Sequence, residues 1–257
     1  MTPVELDAFD SGGGGEPVIL SHAIGCDARM WLRQAAVLRD RFRVLAFDTR
    51  GHGQSPVTPR PYSLDGLADD FARELDRRGL ERAHWVGLSM GGMIGQAFAL
   101  RHPGRLMRLV LANTSSSFGS EGRAMWHARA KAASEGGMAA IRDAAMARYF
   151  SEAFRASNPA IVAVTAQRFL ETSVEGYAGC CDALAALDFT SRLGGIKART
   201  LVIAGELDAG TPVAMSQVIV DGITDSRLAV IAGAAHLSAV EKPDEFNALV
   251  RPFLATT

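Results

Sequence analysis

The chain has 257 residues, of which 48% are hydrophobic and 21% are charged, and its formal net charge is −1. This near-neutral balance gives no bulk attraction to nucleic acid or to an anionic membrane surface, so neither is expected as a partner. No run of about 18 apolar residues occurs, and no membrane span is predicted. The length is enough for one domain with a sizeable core.

The N-terminal stretch Met1–Glu16 carries acids and glycines rather than a basic start followed by an apolar run, so it is not predicted to be a secretory signal. The cysteines Cys26, Cys180 and Cys181 do not suggest a disulfide framework, because their number is odd and two of them are adjacent. This usage predicts a reducing, cytoplasmic location. No zinc-ligand spacing is present, and neither a metal nor an organic cofactor is expected.

Short and nearly continuous apolar runs recur along the chain and predict buried strands. Runs that are apolar on both faces are typical of a parallel sheet covered by helices on both sides. The glycine run Gly12–Gly15 predicts a hairpin turn before the first strand, and it is not expected to be a phosphate loop because no Lys-Ser/Thr helix start follows. The predicted strands are Pro17–Ser21, Arg43–Phe47, His84–Leu88, Arg108–Ala112, Thr200–Ala204 and Leu228–Ile231.

Helical patterns lie between these strands. Leu64–Arg78 places its apolar residues at 3.6-residue spacing, and Met90–His102 is small and apolar and stops before Pro103. Thr211 followed by proline predicts an N-cap and the first turn of a helix over Pro212–Val220. Strands that alternate with helices in this way predict an α/β fold with a mostly parallel sheet.

Residues 114–190 interrupt the alternation, because they contain helical patterns and no convincing strand. Sheet-forming runs resume at Thr200. The sequence therefore predicts a helical cap over residues 114–190, inserted into a core formed by residues 1–113 and 191–257. The helical patterns within the cap are Arg123–Ala133, Met138–Phe150 and Ile161–Leu170.

The segment Gly87–Gly91 matches the pattern G-x-S-x-G, with Ser89 at its centre. The pattern alone is weak, because a chain of this length and composition has roughly a one-in-ten chance of a match. Its context is more informative, since it follows an apolar strand and opens a helix rich in small residues. This is the strand–turn–helix elbow that exposes a nucleophilic serine. Ser89 is therefore the predicted nucleophile, and a structural turn with a capping serine is the alternative.

A serine nucleophile needs a base within hydrogen-bond reach and an acid that orients the base. After an elbow of this kind, the acid and then the histidine follow the serine along the chain. His236 lies just beyond the last predicted strand and is the predicted base, whereas His127 falls in the helical insertion. A loop histidine with a structural role is the alternative for His236.

Asp208 follows the fifth predicted strand and precedes a helix start, and it is the predicted acid. The alternative is a structural Asx turn or helix cap at Asp208, and Glu206 is the fallback acid. The fourth predicted strand ends at Asn113-Thr114, where no carboxylate is present.

Acyl transfer also requires an oxyanion hole. The amide of Met90, the residue after the nucleophile, is one predicted donor, and the loop Ser21–Gly25 is predicted to supply the amide of Ile24 as the second. In this loop His22 is expected to hold the backbone through side-chain hydrogen bonds. The adjacent Cys26 is expected to be a small buried thiol that lines the pocket.

These residues assemble into a pattern that resembles the α/β-hydrolase family over almost the whole chain, and most closely its 3-oxoadipate enol-lactonase branch. The resemblance implies the α/β-hydrolase fold, with helices on both faces of a mostly parallel sheet and a helical cap. The loop Asp48–Ser55 is interpreted as structural. The segments that carry the resemblance are Phe47–Ser55, Gly87–Gly92, Ala112–Thr114, Glu175–Cys181, and Ala235–Ser238 with Glu241.

The resemblance implies hydrolysis of a small unsaturated lactone through an acyl-enzyme on Ser89, yielding 3-oxoadipate. Because that substrate carries a carboxylate, a cation should face it. The lactonases' Trp-x-x-Arg motif is matched at Trp126 and Arg129. Trp126 is thereby implied as a pocket wall and Arg129 as the carboxylate anchor, since a guanidinium can bind a carboxylate bidentately. A solvated helix arginine is the alternative for Arg129.

One departure from the branch leaves other functions open. The lactonases often have Ser-Asn-Ser-Leu-Gly where this chain has Ser21–Gly25, and a histidine at the position of His22 is common in esterases and C–C bond hydrolases. The alternatives are a general carboxylesterase or perhydrolase, a C–C bond hydrolase acting on a diketo acid, and a ligand-binding receptor of this fold. Ser89 argues against dehalogenases and epoxide hydrolases, which use an aspartate nucleophile. A homo-oligomer is also left open.

Overall fold

The computed structural model describes residues 1–255 and has one central β-sheet. The strands are β1 (Ala8–Asp10), β2 (Glu16–Ser21), β3 (Phe42–Phe47), β4 (Ala83–Leu88), β5 (Leu106–Ala112), β6 (Arg199–Gly205) and β7 (Ser226–Ile231). Their order across the sheet is β1-β3-β2-β4-β5-β6-β7. All neighbouring strands are parallel except β1 and β3. Every residue of the central strand β4 is buried, so both faces of the sheet are covered and the predicted fold class is confirmed.

Helices connect the strands and cover the sheet. The α-helices are α1 (Leu32–Leu38), α2 (Leu64–Arg77), α3 (Met90–Arg101), α4 (Gly119–Gly136), α5 (Arg142–Tyr149), α6 (Glu152–Ser157), α7 (Pro159–Glu171), α8 (Val174–Ala185), α9 (Val213–Gly222), α10 (Ser238–Glu241) and α11 (Pro243–Ala255). Short 3₁₀ helices occupy Ala28–Trp31, Pro103–Arg105, Met138–Ile141 and Thr190–Gly195. In the described residues, no helix combines the length and the apolar character that a membrane span requires.

The predicted hairpin at Gly12–Gly15 is wrong. Strand β1 pairs with β3 rather than with β2, so the glycine segment carries the chain past β3 to the far side of that strand. Gly15 passes so close to the backbone there that a Cβ atom would lie 2.3 Å from the carbonyl oxygen of Arg41. The absence of a side chain at Gly15 therefore permits a close crossing rather than a tight turn.

The predicted N-cap at Thr211 is also wrong. Helix α9 begins at Val213, and the residue before it, Pro212, makes no side-chain cap. The hydroxyl of Thr211 instead donates to the carboxylate of Asp208. The side chain is used in the loop after β6 and contributes nothing to the start of the helix.

Helices α4 to α8 occupy the insertion between β5 and β6, and α4 packs against α8. An isolated antiparallel bridge between Ser117 and Asp188 joins the two ends of this segment. The helical patterns read from the sequence correspond to α4, to α5 with its preceding 3₁₀ turn, and to α7, whereas α6 and α8 were not predicted. The assignment of residues 114–190 to a separate cap domain stays a prediction.

The carboxyl ends of the parallel strands lie at one edge of the sheet, and the loops that leave them converge there. Ser89 follows β4, Asn113 follows β5, Asp208 lies in the loop after β6, and His236 lies in the loop after β7. In open α/β sheets this edge is where binding sites form. The topology therefore brings together residues that are up to 147 positions apart in the sequence.

Candidate active site

Ser89 lies at a sharp turn between β4 and α3, with φ 56° and ψ −115°. A non-glycine residue in this region costs about 1–3 kcal/mol of strain, which the surrounding structure must offset. Two hydrogen bonds hold the turn: the Ser89 amide donates to the carbonyl of Ala112 at 2.8 Å, and the hydroxyl of Thr114 donates to the Ser89 carbonyl at 2.8 Å. The turn presents the hydroxyl of Ser89 at the end of the strand.

The two glycines of the G-x-S-x-G pattern are required by close approach. A Cβ atom at Gly87 would lie 2.2 Å from the carbonyl oxygen of Gly91, and a Cβ at Gly91 would lie 2.0 Å from that of Ser21. Both of these carbonyl oxygens belong to the backbone of neighbouring elements, so they cannot move aside without a large cost in energy. The elbow in this chain therefore requires glycine at both positions, because any side chain there would clash with the backbone.

The structure brings Ser89, His236 and Asp208 into one hydrogen-bonded chain. The Oγ atom of Ser89 is 2.9 Å from Nε2 of His236, and Nδ1 of His236 is 2.8 Å from Oδ2 of Asp208. All three residues are buried. The fallback acid Glu206 is exposed and accepts a hydrogen bond from the amide of Gly233, so it does not orient His236. This geometry is the one that activates a serine nucleophile.

Asp208 is held by five hydrogen bonds. One of its oxygens accepts from His236, from the side-chain amide of Asn113 at 2.9 Å and from the hydroxyl of Thr211 at 2.7 Å. The other oxygen accepts from the backbone amides of Gly210 and Thr211. Burial raises the pKa of Asp208, but the charge of His236 and these hydrogen bonds outweigh burial and hold the pKa well below its usual value. The Asp208 carboxylate is therefore ionised in the folded protein near neutral pH.

Asn113 hydrogen-bonds Asp208, and the sequence did not reveal this contact, because an asparagine after a strand carries no carboxylate to mark it as part of a catalytic site. Its backbone is left-handed, with φ 46°, a conformation that asparagine tolerates better than most residues. Its side chain donates to both Asp208 and the carbonyl of Ala235, and it accepts from the hydroxyl of Ser238 at 2.5 Å. Asn113 therefore ties the acid to the loop that carries His236.

Two buried histidines hold the loop after β2. Nδ1 of His22 lies 2.8 Å from the carbonyl of Ala23, and Nε2 of His22 accepts the amide of Thr49 at 2.9 Å. Nε2 of His52 accepts the amide of Gly25 at 3.0 Å. Since a backbone amide can only donate, both rings must be neutral. Burial lowers the pKa of both histidines, in the case of His52 to about 3.

Tyr149, the last residue of α5, connects the helical insertion to this loop. Its hydroxyl donates to the carbonyl of Ile24, and its ring stacks on that of His236 with the centroids 6.1 Å apart. Its own carbonyl accepts the amide of Leu237 at 2.9 Å. Among the hydrogen bonds of residues 1–255, none uses the amides of Ile24 or Met90, the two predicted oxyanion donors.

A cavity of about 220 Å³ opens onto Ser89 and His236, and its walls include both residues implied by the resemblance, Trp126 and Arg129. Ile24 also lines this cavity. The guanidinium of Arg129 lies over the Trp126 ring, 4.6 Å from its centroid. Arg129 is partly buried and faces the cavity, which does not match a fully solvated helix arginine.

Cys26 does not line this cavity, so the expectation for it is wrong. The thiol faces a separate cavity of about 330 Å³ between α1, α7 and α10, because the chain turns away from the site after Gly25. Burial raises the pKa of Cys26 to about 12, which keeps the thiol protonated. Within residues 1–255, no cluster of three or more His, Cys, Asp or Glu side chains is placed to hold a metal ion.

This fold and this arrangement of side chains define a hydrolase of the α/β type. Residues 16–144 match the family model described as alpha/beta hydrolase fold. The chain belongs to this family of enzymes.

Individual relatives narrow the similarity further and confirm the resemblance inferred from the motifs. The chain is 39% identical to 3-oxoadipate enol-lactonase 2 of Acinetobacter baylyi over 95% of this chain and 91% of that protein. The crystal structure of the enol-lactonase from Burkholderia xenovorans superposes with a TM-score of 0.95 at 36% identity, covering 98% of this chain and 97% of that one. A thermophilic esterase from Thermogutta terrifontis, solved with malate bound, gives a TM-score of 0.93 at 30% identity over 99% and 95% of the two chains.

Proposed function

We propose that this enzyme is a serine hydrolase that opens 3-oxoadipate enol-lactone. The observation that carries the proposal is the hydrogen-bonded chain of Ser89, His236 and Asp208 at the wall of a cavity that also contains the guanidinium of Arg129. The similarity to enol-lactonases at 39% and 36% identity supports the choice of substrate.

The reaction begins when Nε2 of His236 takes the hydroxyl proton of Ser89 and Oγ attacks the lactone carbonyl carbon. The amides of Ile24 and Met90 stabilise the negative oxygen of the tetrahedral intermediate. The ring C–O bond then breaks, the proton passes from His236 to the departing enol oxygen, and the enol becomes a ketone. Water, activated by His236, hydrolyses the ester on Ser89 and releases 3-oxoadipate.

The donor at Ile24 depends on the groups that hold its neighbours. His22 engages the carbonyl before the Ile24 amide, while Tyr149 and His52 engage the two ends of the next peptide group. These three side chains fix the two peptide groups that meet at Ile24, and they leave the Ile24 amide without a partner in the described residues. Donors fixed in advance in a buried site stabilise a developing charge without reorganisation.

Substrate choice is assigned to the cap, residues 114–190, because it supplies Trp126 and Arg129. A carboxylate on the substrate would lie against the Arg129 guanidinium while the lactone carbonyl lies at Ser89. The cytoplasm is the proposed location, since all the cysteines are free and buried.

The test is steady-state hydrolysis of 3-oxoadipate enol-lactone beside p-nitrophenyl acetate. A kcat/KM of at least about 10⁴–10⁵ M⁻¹s⁻¹ for the lactone, the low end of enzyme efficiency, is expected. Arg129→Gln should lose most of its activity towards the lactone and keep most of its activity towards p-nitrophenyl acetate, because that ester is neutral and has no free carboxylate to anchor. Acetate turnover without lactone turnover would contradict the proposed substrate.

A carboxylesterase is the second candidate, and His22 is the observation that favours it. The enol-lactonases often have a different loop at this position, and the thermophilic esterase is 30% identical to this chain. In that case neutral esters would be hydrolysed well, and Arg129→Gln would leave their turnover unchanged.

A further inference from the structure

The cavity at Ser89 contains a second guanidinium, which belongs to no sequence motif of the site. Arg148, in the last turn of α5, lines the same cavity as Arg129 of α4. The Arg148 stem packs against the loop after β6, where a Cβ at Gly210 would lie 3.2 Å from Arg148 Cδ. The two arginines thus reach one small cavity from two different helices.

Neither guanidinium is neutralised by the protein. Within residues 1–255, no carboxylate is ion-paired or hydrogen-bonded to Arg129 or Arg148, and each instead lies over an aromatic ring. By contrast, the core residue Arg50 is fully buried and binds Asp70 through two hydrogen bonds of 2.8 and 2.7 Å. The protein therefore supplies an acid to the buried Arg50 and supplies none to either arginine at this cavity.

The two positive charges also act on each other. Burial lowers the pKa of Arg129, and the charge of Arg148 lowers it further. The acid at the site, Asp208, is committed to His236, Asn113 and Thr211. Partly buried charges of the same sign favour a ligand that brings the opposite charge to each of them.

A ligand with one carboxylate leaves one guanidinium uncompensated, whereas a ligand with two carboxylates compensates both. The product of the proposed reaction, 3-oxoadipate, has two carboxylates and meets this condition; this step rests on the proposed function. Water adds to the acyl carbonyl, the bond to Ser89 Oγ breaks, and Oγ regains a proton from His236. The released acid then loses a proton to solvent and becomes a second carboxylate.

We propose that the cavity is a dianion site, in which Arg129 holds the carboxylate that the substrate brings and Arg148 receives the carboxylate formed at Ser89. The site consequently binds short dicarboxylates, and the enzyme is inhibited competitively by its own class of product. Arg148 is the residue that distinguishes a dicarboxylate from a monocarboxylate of the same length.

Calorimetric titration of the Ser89→Ala protein tests this site with adipate and monomethyl adipate, which have the same chain length and differ by one charge. Ser89→Ala prevents hydrolysis of the ester. Adipate should bind at least about 10-fold more tightly, because it gains a charge-assisted pair in a partly buried cavity. Adding Arg148→Gln should bring the two affinities within about twofold of each other, whereas Arg148→Lys should keep part of the preference for adipate.

Arg123→Gln is the matched control, because Arg123 is an exposed arginine on α4 that does not line this cavity. It should leave both affinities unchanged. Equal binding of adipate and monomethyl adipate, binding of neither, or a preference that survives Arg148→Gln would overturn the dianion site. Labelling of wild-type Ser89 by a fluorophosphonate tests the proposed function separately, so a failure of one is distinguishable from a failure of the other.

Discussion

Replacement of Tyr149 by phenylalanine removes one hydroxyl and leaves the ring that stacks on His236 in place. The Tyr149 hydroxyl is the group that binds the Ile24 carbonyl, and both residues are almost fully buried. Without it, a buried carbonyl loses its partner, which costs about 1–3 kcal/mol of folding free energy. The peptide group next to the predicted oxyanion donor is then held at one end only, by His52, and its position becomes less fixed.

The effect on catalysis is bounded by two magnitudes. Removal of an oxyanion donor itself costs about 10²–10³ in kcat, and Tyr149 acts only on the position of such a donor. A loss of transition-state stabilisation the size of one net hydrogen bond, about 1.4 kcal/mol, corresponds to a decrease in kcat of about 10-fold. We therefore expect kcat to fall about 10-fold in Tyr149→Phe with little change in KM, since the carbonyl group of the bound lactone develops its full charge only in the transition state.

Tyr62→Phe is the control for this experiment. The Tyr62 hydroxyl donates to the backbone carbonyl of Thr58 at 2.8 Å, and the residue is buried away from the cavity. Both variants should unfold at a lower denaturant concentration than the wild type, and only Tyr149→Phe should lose kcat in steady-state assays. If kcat in Tyr149→Phe stays within about twofold of that in Tyr62→Phe, Tyr149 does not position the oxyanion loop.

Three further predictions follow from the contacts of the site. Asn113→Gly keeps the left-handed backbone but releases Asp208, and kcat should fall about 10-fold in steady-state assays; an unchanged kcat would contradict the positioning role. In the folded protein the pKa of His52 is about 3, so His52 stays neutral until the pH approaches that value. The unfolding free energy should therefore fall as the pH decreases from about 6.5 towards 3, by up to about 1.4 kcal/mol per pH unit. Denaturant titrations at several pH values should show a shallower fall in His52→Gln, and an equal fall would refute this. Gly91→Ala places a Cβ against backbone and should lower stability by about 3 kcal/mol or more in the same titrations. Gly104→Ala, where the Cβ meets nothing within 4 Å, should change little, and equal losses in the two variants would contradict the steric argument.

His52 makes stability depend on pH because the folded and the unfolded chain bind its proton over different pH ranges. Between the depressed folded pKa and the unfolded value of about 6.5, the unfolded chain binds a proton at His52 that the folded chain does not. The stabilisation is therefore present above pH 6.5 and is lost as the pH falls towards the folded pKa. In the folded state a proton on Nε2 would displace the amide of Gly25.

The parallel strands could be predicted from the sequence because each is a largely apolar run, and all of them except the edge strand β7 are mostly buried on both faces. Strand β1 could not be predicted, because it has three residues and lies at the edge of the sheet. Its pairing with β3 requires the chain to cross β3 before β2 begins, and no local sequence pattern indicates this crossing. Helix α8 was also missed, since its glycines lower helix propensity. A glycine is needed at position 176 because its backbone packs on that of Gly51. A Cβ atom on Gly176 would lie 2.1 Å from the carbonyl oxygen of Gly51.

For the candidate site, motif and chain order were enough to select Ser89, Asp208 and His236, whose side chains the structure brings together. The residues that hold them were not accessible in this way. Tyr149 and Ile24 are 125 positions apart and meet only because the helical insertion folds back over the sheet edge. No periodicity or motif encodes such a contact, and it becomes visible only in three dimensions.

Covalent trapping shows whether Ser89 is the nucleophile, because a fluorophosphonate reacts with an activated serine hydroxyl. The wild-type protein would be treated with a fluorophosphonate, digested and mapped by mass spectrometry, with Ser89→Ala and His236→Gln treated in parallel. A single adduct on the peptide that contains Ser89, absent in Ser89→Ala and formed much more slowly in His236→Gln, is the expected result. Absence of labelling in the wild type, or labelling that persists in Ser89→Ala, would show that Ser89 is not the nucleophile.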